Sequence, residues 1–547
     1  MARKNTVMMA GVTAVTLALA ISACGRSAGS PAAGNVSATK GLVATTPAGT
    51  AAVSSVTWAV YRDVNSLDPI YAFDYPENTA VSLMCESLLR QSPAGSIGPG
   101  LATVANPSPT QLVFTIKPGV TFWDGHPVTP ADVVYSLERN TNTKLGGFYG
   151  LVFSRVASIK ATGSSQVTIT LKQPDYWLPG ELASMPGVII EKSFAQQQGK
   201  NYGTPAGSIM CTGAYKLKSF KPGTGVTAVA NPQYWNSSVK PLVRAILVKG
   251  APDISSFTSA MLTGAIQGSY SAGGIATLNQ LEHSSSVKVY QGPGWSTDAF
   301  IVSSFSGALG DVRVRRALSL ALNRKGIIDS VYKGAAVLPR WLSNPGTFGY
   351  GQSVFNAAYA RSPVLTQNIA AARKLVQAAG ATGKTITIGT SSQLSDISAD
   401  AGAYQAAAQA IGLKVALKSV SAQNYINFFI DPKARQGIDG FLTANYGDYA
   451  DPAAMLATLD LPGGSQNYDN FNDPAIVSAL EQARSTANPG KRAALVAQAE
   501  KLTAQQLPWI PDVQPNSLLM LSRKLSGAVV SFAYMFAPWA NSLGGTG

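Results

Sequence analysis

A strand–helix–strand pattern late in the chain is the strongest constraint on its fold. The pattern predicts a strand at 385–389, an alanine-rich helix that ends near Gly412, and a second strand at 413–418. Two strands joined through a helix lie parallel in one sheet, with a right-handed crossover. We therefore predict an α/β fold. A chain of 547 residues also exceeds one ordinary hydrophobic core, so we expect at least two lobes.

The composition indicates a folded body whose charge lies on its surface. Hydrophobic residues make up 46% and charged residues 13%, and the net charge is +14. A nucleic-acid-binding protein would concentrate such a charge in a lysine and arginine run, a zinc finger or a basic helix. The densest cluster, Arg313, Arg315 and Arg316, lies inside an amphipathic pattern instead. We interpret the charge as a solvated surface, and we expect no nucleic-acid partner.

The amino terminus is typical of an exported lipoprotein. Arg3 and Lys4 precede an apolar run at 7–21, which is too short for a stable membrane span and indicates a signal peptide at 1–23. The run ends in small residues before Cys24, a pattern that resembles the bacterial lipobox. Lipid on Cys24 would anchor the mature protein to a membrane, and the small residues up to 55 would form a flexible tether. The alternative is ordinary cleavage nearby.

The two other cysteines, Cys85 and Cys211, have two interpretations. An exported chain meets conditions in which a disulfide persists, so they can pair with each other. They can also remain as two buried thiols. The sequence leaves both possibilities open, and we favour the disulfide.

The sequence lacks the residue patterns of catalysis. Its two histidines, His126 and His283, lie in a turn motif and in a polar stretch, and neither has a cysteine partner in a reactive setting. The motifs G-x-S-x-G and H-E-x-x-H are absent. The run 380–385 imitates a phosphate loop, but it lacks the leading glycine and follows a helix instead of a strand. We predict a protein that is not an enzyme and has no cofactor and no metal site.

The stretch 440–452 is the strongest candidate for a binding site. A short apolar strand runs directly into Asp448 and Asp451, among Tyr446, Gly447 and Tyr449. An acid at the end of a rigid strand supplies a concave site with one fixed charge. The alternative is that Asp448 only caps a turn while Asp451 and Pro452 begin the next helix.

Several motifs, in order, resemble one known family. They are LVFTIKPGVTFWDGHPVTPADVVYSLER at 112–139, CTGAY at 211–215, NPQYW at 231–235 and DVRVRRAL at 311–318. This set resembles the family 5 solute-binding proteins of ABC importers, which bind oligopeptides, dipeptides and nickel. The resemblance spans about residues 56–530.

The resemblance implies a two-lobed fold of the periplasmic-binding-protein type (type II, with an extra subdomain) that closes on its ligand through two crossing segments. Lobe 1 would combine 56–98, 206–302 and 515–547, with an inserted subdomain at 99–205. Lobe 2 would be 303–514. Residues 1–23 would be the signal peptide and 24–55 the lipidated cysteine and tether.

The resemblance also implies a binding site. Peptide-binding relatives carry a loop of the form (A/G)-D-Y-N-E-P or G-D-N-G-D-P, whose first aspartate faces the α-ammonium group of the ligand. Asp448 aligns with that aspartate. Relatives have a tryptophan where this chain has Asn445, so the resemblance does not define the shape of the pocket. Apolar surface from Trp295, Tyr446 and Tyr449 would replace the indole. The expected ligand-binding residues are Asp448, Asn445, Tyr446, Gly447, Tyr449 and Trp295, with Arg340 for a ligand carboxylate.

We therefore expect a monomeric, lipid-anchored protein on the extracytoplasmic face of the cell membrane, which captures di- and oligopeptides and delivers them to an ABC permease and its ATPase subunits. One alternative keeps the fold and changes the cargo to a sugar, a metal chelate or an opine-like compound. A remote alternative is an extracytoplasmic hydrolase.

Overall fold

The computed structural model describes residues 41–251, 253–270, 278–392 and 394–547. The signal peptide and the lipidation site Cys24 lie outside the described residues. Among the residues described, no helix is long and apolar enough to cross a membrane.

The strands follow one another along the described part of the chain. They are β1 Val56–Val60, β2 Leu89–Gln91, β3 Ile97–Pro99, β4 Ala102–Ser108, β5 Gln111–Ile116, β6 Val156–Ala161, β7 Gln166–Leu171, β8 Tyr215–Lys221, β9 Gly225–Ala230, β10 Ala245–Gly250, β11 Gly268–Tyr270, β12 Val287–Gly292, β13 Ser296–Val302, β14 Ala336–Val337, β15 Thr385–Thr390, β16 Lys414–Ser419, β17 Gly440–Tyr446, β18 Trp509–Pro515, β19 Ser517–Ser522, β20 Leu525–Ser526 and β21 Gly544–Gly545.

The α-helices lie between these strands. They are α1 Tyr75–Met84, α2 Pro130–Thr141, α3 Leu178–Glu181, α4 Lys192–Gln198, α5 Ile254–Thr263, α6 Leu278–Glu282, α7 Val312–Ala321, α8 Arg324–Ser330, α9 Gln352–Arg361, α10 Ile369–Ala378, α11 Ser395–Ala410, α12 Ala422–Tyr425, α13 Asn427–Ile430, α14 Pro452–Asp460, α15 Pro474–Arg484 and α16 Pro489–Gln506.

Lobe 1 is built on a mixed seven-stranded sheet in the order β12-β19-β11-β1-β10-β9-β8. The first strand, β1, lies at its centre and pairs in parallel with β10 and β11. Trp58 on β1 is fully buried, and its ring packs against Tyr270 and Trp539. Strand β19, near the carboxy terminus, pairs with β11 and β12, so the first strand and a late strand of the described chain lie in one sheet.

The inserted subdomain is a four-stranded antiparallel sheet in the order β4-β5-β7-β6, covered by α2. The start of α2 is fixed by its own sequence. Thr129 and Asp132 form a reciprocal capping box, and Pro130 is the first helical residue. Nearby, the structure joins Cys85, which follows α1, to Cys211 by a disulfide, with their Cα atoms 5.0 Å apart.

Lobe 2 is built on a six-stranded sheet in the order β14-β18-β13-β17-β15-β16. The predicted strand–helix–strand unit is confirmed, because β15 and β16 pair in parallel and α11 connects them. β17 lies between β15 and β13 and pairs with β13 along its whole length. Its buried residues, including Phe441 and Leu442, hold the strand in the core of the lobe.

The chain crosses between the lobes twice, once at 293–295 and once at Asn516. The Asn344 side-chain amide ties the two crossings together, since it donates to the carbonyl oxygens of Ser296 at 2.9 Å and Pro515 at 3.2 Å. A Cβ atom on Gly294 would lie 2.0 Å from the Pro515 carbonyl oxygen, so only glycine permits this close approach. The predicted boundary at 302/303 is corrected, because β13 already belongs to the sheet of lobe 2.

Residues 43–53 pack on lobe 1, so the predicted flexible tether, which extended to residue 55, is too long. The Val43 amide donates to the Gln291 carbonyl, and Ala51 pairs with Gly545. The Thr46 hydroxyl accepts from the amides of Gly527 and Ala528. These contacts are mostly made by the main chain, so a segment without large side chains can still pack on lobe 1.

The ion pair between Arg139 and Asp68 joins α2 to lobe 1. Nη1–Oδ1 is 2.8 Å and Nη2–Oδ2 is 2.5 Å, and the side chains are 12% and 3% exposed. We expect Arg139→Met to lower the free energy of unfolding by about 3 kcal/mol, because Asp68 stays buried without its partner. Urea denaturation followed by tryptophan fluorescence measures this. The exposed pair of Lys325 and Asp329 supplies the control: Lys325→Met should change stability far less. Equal losses would contradict the assignment.

Candidate ligand-binding site

A cavity of about 220 Å³ lies where the two lobes and the inserted subdomain meet. Lobe 1 contributes aromatic residues such as Tyr75 and Phe532, and the subdomain contributes Tyr149 and Trp177. Lobe 2 contributes the end of β17 and part of α14. A concave, mostly apolar space with a few polar groups is the usual form of a small-molecule site.

The end of β17 places Asp448 in this cavity. The strand ends at Tyr446, and α14 begins at Pro452. Asp451 caps α14, because its carboxylate accepts from the Ala453 amide at 2.9 Å. The Gln91 side chain holds the loop from the other side by donating to the Asp448 carbonyl oxygen at 2.7 Å. Asp451 therefore performs the capping, and the Asp448 carboxylate lines the cavity.

The Asp448 carboxylate has no hydrogen-bond or ion-pair partner among the described residues. Burial raises its pKa to about 7. Glu181 of the subdomain lines the same cavity, and burial and the nearby Asp448 raise its pKa well above the usual range. Arg484, which also lines the cavity, is bound to Asp175, with Nε–Oδ2 2.9 Å and Nη2–Oδ2 2.5 Å. Two carboxylates thus share one wall without a cation of their own.

Tyr446 and Asn445 also line the cavity. The Tyr446 hydroxyl donates to the Phe73 carbonyl at 2.8 Å, which connects lobe 2 to lobe 1. Asn445 and Gln466 exchange two side-chain hydrogen bonds, at 2.7 and 3.1 Å. Asn445 therefore presents an amide pair where an indole would have presented an apolar face. Gly447 lies in the loop behind them and is not part of the lining.

The structure does not bring Trp295, Tyr449 or Arg340 to the cavity lining. Trp295 is 1% exposed and packs against Phe532 and Phe536 in the core of lobe 1. The Tyr449 ring packs on Gly180, where a Cβ atom would lie 2.4 Å from it. Arg340 donates to the Ser362 carbonyl and lies over the Tyr359 ring. We leave these three residues out of the site.

The cavity also contains acids that the sequence reasoning missed. Glu181 lies in α3, and Asp298 lies in the buried strand β13. Asp396 lies in the first turn of α11. An aspartate inside the apolar run S-T-D-A-F-I-V was the available signal for Asp298, because a buried strand seldom carries an acid without a function or a partner.

The charged side chains around the cavity are unbalanced. Among the described residues, the lining includes the carboxylates of Asp74, Glu181, Asp298, Asp396 and Asp448 and the single cation Arg484. Asp74 is paired with Arg62, at 2.5 Å, which it shares with Glu77, and Arg484 is occupied by Asp175. The other four carboxyl groups have no ion-pair partner among the described residues.

One group of side chains elsewhere could approach a metal ion. Within the described residues, Asp124, His126 and Glu191 have ligand atoms within 4.8 Å of one another. His126 Nδ1 lies 3.0 Å from both Glu191 Oε1 and Asp124 Oδ2, so direct contacts already satisfy these atoms. None of the three lines the cavity.

Comparison with curated proteins and solved structures finds bacterial binding proteins in both cases. The chain is 26% identical over 487 residues to the periplasmic murein peptide-binding protein MppA of Escherichia coli, which covers 84% of this chain and 88% of MppA. It is 24% identical to the periplasmic oligopeptide-binding protein OppA of Salmonella typhimurium, over 80% of this chain and 83% of OppA.

Solved structures match the fold over almost their whole length. The binding protein AgaA of Agrobacterium in complex with agropinic acid matches with a TM-score of 0.79 at 18% identity, covering 89% of this chain and 98% of AgaA. The binding protein DppA of Helicobacter pylori in complex with a peptide matches with a TM-score of 0.78 at 20% identity, covering 91% and 99%. NikA of Staphylococcus aureus in complex with Ni(L-His)2 matches with a TM-score of 0.75 at 20% identity, covering 88% and 98%.

The family model covers most of both lobes and the inserted subdomain. Residues 96–467, which are more than half of the chain, match the model described as bacterial extracellular solute-binding proteins, family 5 Middle. The protein therefore belongs to the family 5 bacterial extracellular solute-binding proteins.

Proposed function

We propose that this protein captures di- and oligopeptides in a closing cleft and delivers them to the permease of an ABC importer. The observation that carries the proposal is the half-buried Asp448 carboxylate, which faces the cavity without a partner among the described residues. A peptide α-ammonium group supplies the missing charge and several hydrogen-bond donors. Peptide-binding relatives such as MppA and OppA support this choice of cargo.

The contacts across the cleft support a mechanism of capture by closure. The Tyr446 hydroxyl donates to the Phe73 carbonyl, and the Gln423 side chain donates to Asn65 Oδ1 at 2.9 Å. Both hydrogen bonds connect lobe 2 to lobe 1, so opening the cleft breaks them. Two connections between the lobes are enough for a hinge motion of this kind. Closure excludes water around Asp448 and strengthens its attraction to an ammonium group.

The remaining parts of the proposal concern location and partners. Lipid on Cys24 anchors the protein on the extracytoplasmic face of the cell membrane, where it functions as a monomer. The permease and its ATPase subunits receive the peptide. The protein binds no nucleic acid and performs no chemistry on its cargo. Turnover of a bound peptide would instead support an extracytoplasmic hydrolase.

A non-peptide cargo is the second candidate, and the substitution of Asn445 for the indole favours it. AgaA was solved with agropinic acid and NikA with a nickel–histidine complex. The unbalanced carboxylates of this cavity disfavour an anionic cargo, because the lining arginine, Arg484, is occupied by Asp175. Native mass spectrometry of the purified protein with its co-purifying ligand separates a peptide from a sugar, a chelate or an opine-like compound.

We expect Asp448→Asn to weaken binding of a free-amine peptide by about 3 kcal/mol or more, because the ammonium group would be buried without its counter-ion. The probe is the peptide identified by native mass spectrometry, synthesised with a free and with an acetylated amino terminus, and calorimetry measures both. Acetylation should weaken binding to the natural protein and matter little to the variant.

The matched control for that experiment is Asp329→Asn, which makes the same chemical change at an exposed position in lobe 2. It should bind the free-amine peptide as the natural protein does. Undiminished affinity of Asp448→Asn for the free-amine peptide would remove the assignment of Asp448 to the ammonium group.

We also expect affinity for a free-amine peptide to rise between pH 5 and pH 7. Burial raises the pKa of Asp448 to about 7, so below that pH the empty cleft holds a proton that the ammonium group must displace. The pKa of Glu181, which lines the same cavity, is raised as well, and Tyr149 and Tyr446 are neutral neighbours. The gain is at most about tenfold per pH unit for each proton released.

Calorimetry at pH 5, 6 and 7 tests this dependence, and Asp448→Asn should reduce the slope. The same raised pKa lets the folded, empty protein bind a proton more tightly than the unfolded chain does. Its free energy of unfolding should therefore fall as pH rises from about 4 through about 7. A flat affinity profile for the natural protein would contradict the assignment.

A further inference from the structure

Asp298 is a buried acid that the proposed ammonium site does not use. It lies in the middle of β13, between β17 and β18, opposite Ala444 and Val513. Its side chain is 2% exposed and lines the cavity. Both carboxylate oxygens are buried without a hydrogen-bond partner among the described residues. A buried polar group in a native structure is normally paired, so this group points to a missing partner.

The surroundings of Asp298 add negative charge rather than neutralise it. Asp396 and Asp400 lie one turn apart on α11, and burial together with Asp400, Asp396 and Asp512 raises the pKa of Asp298 well above its usual range. Tyr404, one further turn along α11, donates to Asp512 at 2.5 Å. Only Asp298 and Asp396 of these acids line the cavity, so Asp400 and Asp512 act from behind them.

Arg324, whose charge acts on Asp512, does not serve as the missing partner, because it donates to main-chain carbonyls and a hydroxyl instead. Arg324 donates through Nε and Nη2 to the Pro511 carbonyl, at 3.0 and 2.7 Å. It also donates to the carbonyl and hydroxyl oxygens of Ser319, at 2.5 and 2.9 Å. No ion pair joins it to any of the four acids among the described residues.

The arrangement suits an organic cation better than a metal ion. Within the described residues, these four carboxylates do not converge into a three-ligand metal group. An ammonium or guanidinium group has several donors and can reach acids that stand apart. Ile397, which follows Asp396 in the chain, and Tyr332 also line the cavity, and such side chains suit the methylene stem of a lysine or arginine side chain.

The spacing of the two acidic groups fits one extended peptide. Ala444, which pairs with Asp298, precedes Asp448 by four residues, so the chain between them spans at most about 13 Å. A peptide of two or three residues, together with a long side chain, spans that distance.

We propose that the cavity selects peptides with a lysine or arginine side chain, which binds at Asp298 and Asp396 while the α-ammonium group binds at Asp448 and Glu181. This inference rests on the proposed function and specifies its cargo. The cleft thus recognises two positive charges, and a peptide without a basic side chain pairs with Asp448 and Glu181 but leaves Asp298 and Asp396 unpaired.

The test compares tripeptides of alanine in which one position carries lysine or norleucine, an uncharged analogue that lacks the terminal nitrogen, measured by calorimetry at pH 7.5. With the natural protein, the lysine tripeptide should bind at least tenfold more tightly than the norleucine tripeptide for one of the substituted positions. Asp298→Asn should remove most of this preference, and Asp448→Asn should weaken both peptides by a similar factor. Asp396→Asn, at the half-buried acid of the same group, is the second variant, and Asp329→Asn is the exposed control.

The two proposals fail in different ways. If acetylation of the amino terminus weakens binding but lysine and norleucine bind equally to the natural protein, the basic-peptide inference is overturned and the peptide function stands. If none of the tripeptides binds with either amino terminus, both fall. The comparison within the natural protein decides the inference even where a variant does not fold.

Discussion

The cleft depends on the close side-by-side passage of the two connections between the lobes. Gly294 allows one connection to touch the Pro515 carbonyl of the other, and Asn344 bonds to both. β13 and β18 then pair with each other inside lobe 2. The crossings are thus fixed to each other, and Ser296 and Asp298 at the start of β13 line the cavity. Asp298 therefore lies only three residues from the first crossing, and under the proposed mechanism it lies close to the hinge.

Local sequence patterns predicted the main elements because their causes are local. The parallel unit of β15, α11 and β16 follows from alternating and helical periodicities. The start of α2 follows from Thr129, Pro130 and Asp132. The packing of residues 43–53 and the membership of β13 in lobe 2 depend on partners hundreds of residues away. Main-chain pairing of that range leaves almost no trace in side-chain composition.

The site was predictable only in part, for a related reason. Asp448 could be found because a strand leads directly into it. Glu181 could not, since its neighbour in space is far along the chain and α3 has no distinctive motif. Trp295 and Tyr449 were expected to supply apolar surface near Asp448, but both pack in the core instead. An aromatic residue suits a core and a pocket equally, and only packing decides between them.

The charge of the cleft is opposite to the charge of the chain as a whole. The chain carries +14, whereas Asp298, Glu181, Asp396 and Asp448 line the cavity without cations of their own. A cationic solute far from the protein is repelled, and dissolved salt screens this repulsion beyond about 10 Å. Charges buried in a closed cleft are screened much less than charges in open solution. Added salt should thus hasten arrival of the solute while leaving its retention nearly unchanged, the reverse of ordinary electrostatic steering.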